Sequence, residues 1–72
     1  MNTSAYFISH YATSASEALE MAAAIEHEID QNWEDEATIF TFEDASVLAV
    51  SGPTVMAFEN HAAALIKFPH TA

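Results

Sequence analysis

The chain has no arginine, and Lys67 is its only lysine. Eleven Asp and Glu residues stand against that one base, giving a formal net charge of −10 over 72 residues. Direct binding to DNA or RNA depends on neutralising phosphates with Lys and Arg, so it is close to excluded. Adhesion to an anionic membrane surface fails on the same ground. Cysteine is also missing, which removes disulfide staples and thiolate metal sites and makes a reducing, cytoplasmic setting the natural one. A single glycine leaves no glycine-rich phosphate loop. No apolar run reaches the ~18 residues that a membrane span needs. The first fifteen residues lack a basic region and a continuous apolar core, so they do not read as a signal peptide.

What is present points to a folded chain. The hydrophobic fraction is 51% and the aromatic fraction 11%, far from the low hydrophobicity of disordered segments. The length corresponds to one domain, residues 1–72. A chain of this size buries only ~60% of its unfolded surface, so its stability is marginal unless a dimer interface absorbs part of the apolar excess. Charged residues make up 17%. The acids are near an ordinary level and the bases are what is missing, which is not the halophile pattern.

The acids are concentrated in one stretch. Eight of the eleven lie between Ser14 and Glu36: Glu17, Glu20, Glu26, Glu28, Asp30, Glu34, Asp35 and Glu36. Ser14 and Glu17 have capping-box spacing. The following residues are rich in Ala, Leu, Met and Glu, with no Gly or Pro. At helical spacing Ala18, Leu19, Ala22, Ile25, Ile29 and Trp33 share one face, and Glu17, Glu20 and Glu28 line up on the other. This predicts a helix from Ser14 to about Asn32 or Trp33, followed by an acidic turn at Glu34–Asp35–Glu36. Such a helix is electrostatically poor. Glu26 and Asp30 form an i,i+4 like-charge pair, and Asp30 sits near the negative end of the dipole. Either the face is merely solvated, or its charge serves a basic partner.

Elsewhere the aromatic and β-branched run Ala5–Ala12 reads as a strand. Thr38–Glu43 alternates as a strand, and Val47–Ser51 and Thr54–Phe58 follow across turns at Asp44–Ala45 and Gly52–Pro53. Asn60 is a candidate N-cap for a short helix through Phe68, a segment that also fits an edge strand. Pro69–Ala72 is a tail. The expected fold is α+β with order β-α-β-β-β and a possible short C-terminal helix: one amphipathic helix on a small antiparallel sheet. The expected core is Phe7, Leu19, Ala22, Ile25, Ile29, Trp33, Phe40, Phe42, Leu48, Val50, Met56 and Phe58.

No catalytic constellation emerges. His10, His27, His61 and His70 match no metal-ligand spacing. The carboxylates lie on polar stretches, where nothing separates their pKa values for acid–base work. The reading is a non-enzyme without cofactor or metal.

Extreme acidity, near absence of Lys and Arg, no Cys, small size and a helix-on-sheet layout together resemble the phage-encoded DNA-mimic proteins, including anti-CRISPR and anti-restriction inhibitors. The resemblance is one of class and carries no motif, so it assigns no residue a role. It implies a partner with a basic, nucleic-acid-binding surface, such as a CRISPR effector or restriction enzyme in the host cytoplasm, and inhibition by blocking DNA access. From the residues themselves, carboxylates ~5–6 Å apart along a helix approximate a phosphate row in sign and spacing. The eight acids named above are the candidate partner-binding residues. Two alternatives stand beside this: a small acidic adaptor that forms a homodimer through its sheet or sheet edge, and the antitoxin of a basic toxin.

Overall fold

Thr3 opens a helix where a strand was expected. In the computed structural model, which describes residues 3–25, 27–30 and 37–67, α1 spans Ser4–Tyr11. The Thr3 hydroxyl accepts from the Tyr6 amide. Ala5 and Ile8 are fully buried and Ala12 packs beside them, a helical repeat of small and branched residues along one side. Phe7 and Tyr11, one turn apart, have ring centroids 4.8 Å apart, and such an i,i+4 aromatic contact supports a helix. Strand propensity in this run therefore gives way to packing. Phe7, expected in the core, is 51% exposed.

The second helix begins as its capping box dictates and then stops early. α2 spans Ala15–Ala23, with the Ser14 hydroxyl accepting from the Glu17 amide. The expected continuation to Asn32 or Trp33 does not form. The Ala24 amide bonds back to the carbonyls of both Glu20 and Met21, and the Ile25 amide to that of Ala22, a tightened last turn. The chain then enters β1, His27–Asp30. Its gain is a strand on the sheet: Ile29 lies opposite Phe40, and the His27 ring meets Phe40 edge-on at 5.2 Å. Leaving the helix also avoids stacking carboxylates at i,i+4 near its negative end. Ile29 is 53% exposed and Leu19 38%, so neither joins the core proper. Trp33, the acidic turn at residues 34–36 and the tail lie outside the described residues.

The remaining elements follow the sequence. β2 is Thr38–Phe42, β3 Val47–Ser51, β4 Thr54–Phe58 and α3 His61–Lys67. The four strands form one antiparallel sheet in the order β1-β2-β3-β4. The Asn60 side chain caps α3 by accepting from the Ala63 amide at 2.9 Å, which settles that segment as helix.

The class is α+β, with the order α-α-β-β-β-β-α in place of β-α-β-β-β. Alternation along the strands separates two apolar clusters. Phe40, Phe42, Leu48 and Val50 face Ala5, Ile8, Ala18 and Ala22 of α1 and α2. Ile39, Val47 and Ala49 face Ala64 of α3, with Met56 and Phe58 packed alongside. The sheet is thus covered on both faces, whereas one covering helix was expected. Val47 to Val50 are all buried, as a strand between two packed layers requires.

The two hairpins differ in chemistry. Between β3 and β4 the turn residues are Gly52, at φ 57°, and Pro53, which fits a type II′ turn with Gly at the first central position. A Cβ at Gly52 would meet nothing within 4 Å, so only backbone conformation penalises a side chain there. Gly52→Ala should cost about 1 kcal/mol in chemical denaturation, with the m-value unchanged. Between β2 and β3 the Ala45 amide bonds to the Phe42 carbonyl and the Phe42 amide to the Ser46 carbonyl. This is a three-residue loop with Ala45 at φ 72°, a position that usually carries Gly. Ala45 is exposed, and Ala45→Asn should stabilise by about 0.5–1 kcal/mol in the same assay, because Asn tolerates that conformation.

Candidate functional site

The shortened helix redistributes the acids. Glu17 and Glu20 remain on α2, but Glu28 and Asp30 stand in β1. A single helical row of Glu17, Glu20 and Glu28 does not form. Glu26, Glu34, Asp35 and Glu36 lie outside the described residues.

Glu17 has a structural task. Its Oε1 accepts from the Thr13 amide at 3.0 Å, one residue upstream of the Ser14 amide that the capping box suggested, so the carboxylate holds the turn between α1 and α2 together. Glu20, Glu28 and Glu43 are exposed, and their carboxylates take part in no described hydrogen bond.

The antiparallel register brings Glu28 and Glu43 together. Glu28 pairs with Thr41, and Glu43 follows the end of β2, in the turn toward β3. With His27, Thr41 and Phe42 they line a shallow concavity of about 410 Å³ at the β1 side of the sheet. Sequence reasoning passed over Glu43. Reading His27–Asp30 as a strand paired to Thr38–Phe42 is the one signal that finds it. His27 presents Nδ1 to the Ile25 carbonyl oxygen, which holds the ring in place and occupies that nitrogen. Among the described residues no three His, Asp or Glu side chains are grouped to hold a metal ion. No described helix is long and apolar enough to cross a membrane.

Asp44 is an acid of another kind. Its Oδ2 accepts from the Ser4 amide at 2.8 Å, and its Oδ1 from the amide and hydroxyl of Ser46. The Ser46 hydroxyl, fully buried, in turn accepts from the Ala5 amide. The β2–β3 hairpin therefore caps α1, which has no acid in its own first turn. The Ser46 hydroxyl bond and the Ser4 amide hold the Asp44 carboxyl at about 2, below its usual 3.8.

A second surface carries no Asp, Glu, Lys or Arg. Tyr6, Phe7, Ser9, His10 and Tyr11 line a depression of about 560 Å³ on α1, with Phe7 51% and Tyr11 60% exposed. The molecule thus presents carboxylates at the β1 side and neutral aromatic rings on α1. Comparison with protein-family models, with curated proteins and with solved structures returned no match.

Proposed function

We propose that this protein is a non-enzymatic inhibitor that docks its carboxylates on a Lys- and Arg-lined nucleic-acid-binding surface of another protein and keeps DNA out. The observation that carries the reading is the charge balance: with Lys67 the only Lys or Arg, at most one of eleven carboxylates can find such a partner inside the chain. The uncompensated charge repels itself in the folded state and steers the chain toward a cationic surface in solution. Glu28 in β1 and Glu43 in the turn after β2 line one concavity and support a docking surface on the β1 side. The target class is a CRISPR effector, restriction enzyme or similar nucleic-acid enzyme in the host cytoplasm, where an acidic surface competes directly with phosphates.

The test is competition. A captured partner should be released by duplex DNA and by moderate salt, since screening over a Debye length of ~10 Å at 0.1 M weakens exposed charge contacts. A partner that ignores both DNA and salt contradicts the proposal.

A further inference from the structure

We propose that β4 is a seam at which two copies of this chain pair, antiparallel and two-fold about Met56, to form a continuous eight-stranded sheet.

Among the described residues the sheet has two edges, β1 and β4. Glu28, exposed on β1, makes that strand a poor edge for a copy carrying the same charge, because like charges across a strand pair are destabilising. β4, Thr54-Val-Met-Ala-Phe58, carries no charge at all. It also lacks the devices that shield natural edges, having no Lys, no internal Pro and no bulge in its pairing with β3. Its residues Val55 to Phe58 are only half-buried, whereas those of its neighbour β3 are buried up to Val50.

The phase of the ladder suits self-pairing. The two-residue turn is closed by the Ser51–Thr54 pair, so Thr54, Met56 and Phe58 direct their backbone groups at β3, and Val55 and Ala57 direct theirs outward. An antiparallel copy two-fold about Met56 sets each outward Val55 opposite an outward Ala57. Both such pairs are then hydrogen-bonded pairs, with Met56 facing Met56 in the non-hydrogen-bonded position between them. No residue need shift to make this register.

The flanks agree. α1 packs on β4 from one sheet face and α3 from the other. α1 contains no Asp, Glu, Lys or Arg, and α3 contains only Lys67. Between them they expose Tyr6, Phe7, Tyr11, Leu65 and Ile66, the last at 86%. A second copy with net charge −10 meets few like charges here: among the described residues Glu59 follows the strand directly, and Asp44 shares a concavity with it beside Tyr6.

Sedimentation of the full chain tests the seam. The wild type should show twice the 7.8 kDa chain mass at micromolar concentration, with association strengthened by added salt as the two copies are screened, opposite in sign to carboxylate-mediated docking. Thr54→Glu, at an exposed position, should weaken association at least ~10-fold while circular dichroism is retained. Ala57→Pro, which removes an outward amide only, should do the same. In this cysteine-free chain Met56→Cys should cross-link into a covalent dimer under mild oxidation, because Cα atoms of a non-hydrogen-bonded pair lie ~4.5 Å apart, within disulfide reach. A wild type that stays at 7.8 kDa in high salt overturns the proposal. So does a dimer that survives Thr54→Glu, or one that cross-links through Ile29→Cys on β1 and not through position 56. If Ala57→Pro unfolds, Thr54→Glu and the cross-link decide.

Discussion

Converting Glu20, Glu28 and Glu43 to lysine should lower affinity for a basic partner by about 100-fold or more at low salt. Each reversal adds two charges, so the net charge moves from −10 to −4, and former attractions become repulsions. Close charge pairs at interfaces couple by ~1.5–7 kcal/mol, and even the low end summed over three sites exceeds the ~2.7 kcal/mol of a hundredfold change. These three are the right positions because all are exposed and none holds the fold together. Glu17 belongs outside the set: its carboxylate ties down the Thr13 amide, and reversing it confuses lost binding with a loosened helix start. The measurement is titration calorimetry against a captured partner, with a thermal melt as control. The reversed protein should melt no lower than the wild type, since removing like charges relieves self-repulsion.

Asp44→Ala should cost about 2–3 kcal/mol, or roughly 10–20 °C in melting temperature for a domain of this size. The carboxylate accepts from Ser4 and Ser46, and its loss strands the fully buried Ser46 hydroxyl that caps Ala5. The carboxyl is depressed to about 2 from 3.8, so its charged form is favoured by folding. Its contribution is fully present above the unfolded value and is lost as pH falls through the folded one, a window from about pH 4 to about pH 2. The stability difference between wild type and Asp44→Asn should therefore be constant above pH 5 and shrink across that window. A difference that holds its size down to pH 2 removes Asp44 from the account of how α1 is anchored.

The part of this fold that was legible was the part where local and tertiary preferences agree. Phe40 and Phe42 alternate with Ile39 and Thr41, Gly52–Pro53 punctuates, and Asn60 caps, and each stands where its pattern puts it. The two misread segments are those in which a strong pattern met a stronger constraint. Tyr6, Phe7 and Ile8 favour a strand by propensity, but Thr3 caps a helix in which Ala5, Ile8 and Ala12 repeat at helical spacing against the sheet. Ile25, Ile29 and Trp33 repeat at helical spacing, yet a helix carried that far stacks its own carboxylates. That penalty was visible in Glu26 and Asp30 and is the physical reason to expect an early exit. The candidate site suffered accordingly. Glu28 was recognisable as an acid on an exposed face, but its neighbour Glu43 becomes visible only once β1 is paired with β2.

The central claim, that the unbalanced carboxylates are a docking surface for a cationic nucleic-acid-binding protein, is tested most directly by capture from bacterial lysate. The wild type and the Glu20, Glu28, Glu43 reversal should be immobilised side by side and washed at low and moderate salt, then with duplex DNA. The account predicts that the wild type alone retains nucleic-acid-binding proteins at low salt and yields them to moderate salt and to DNA. Retention of the same proteins by both, indifferent to salt and to DNA, contradicts it.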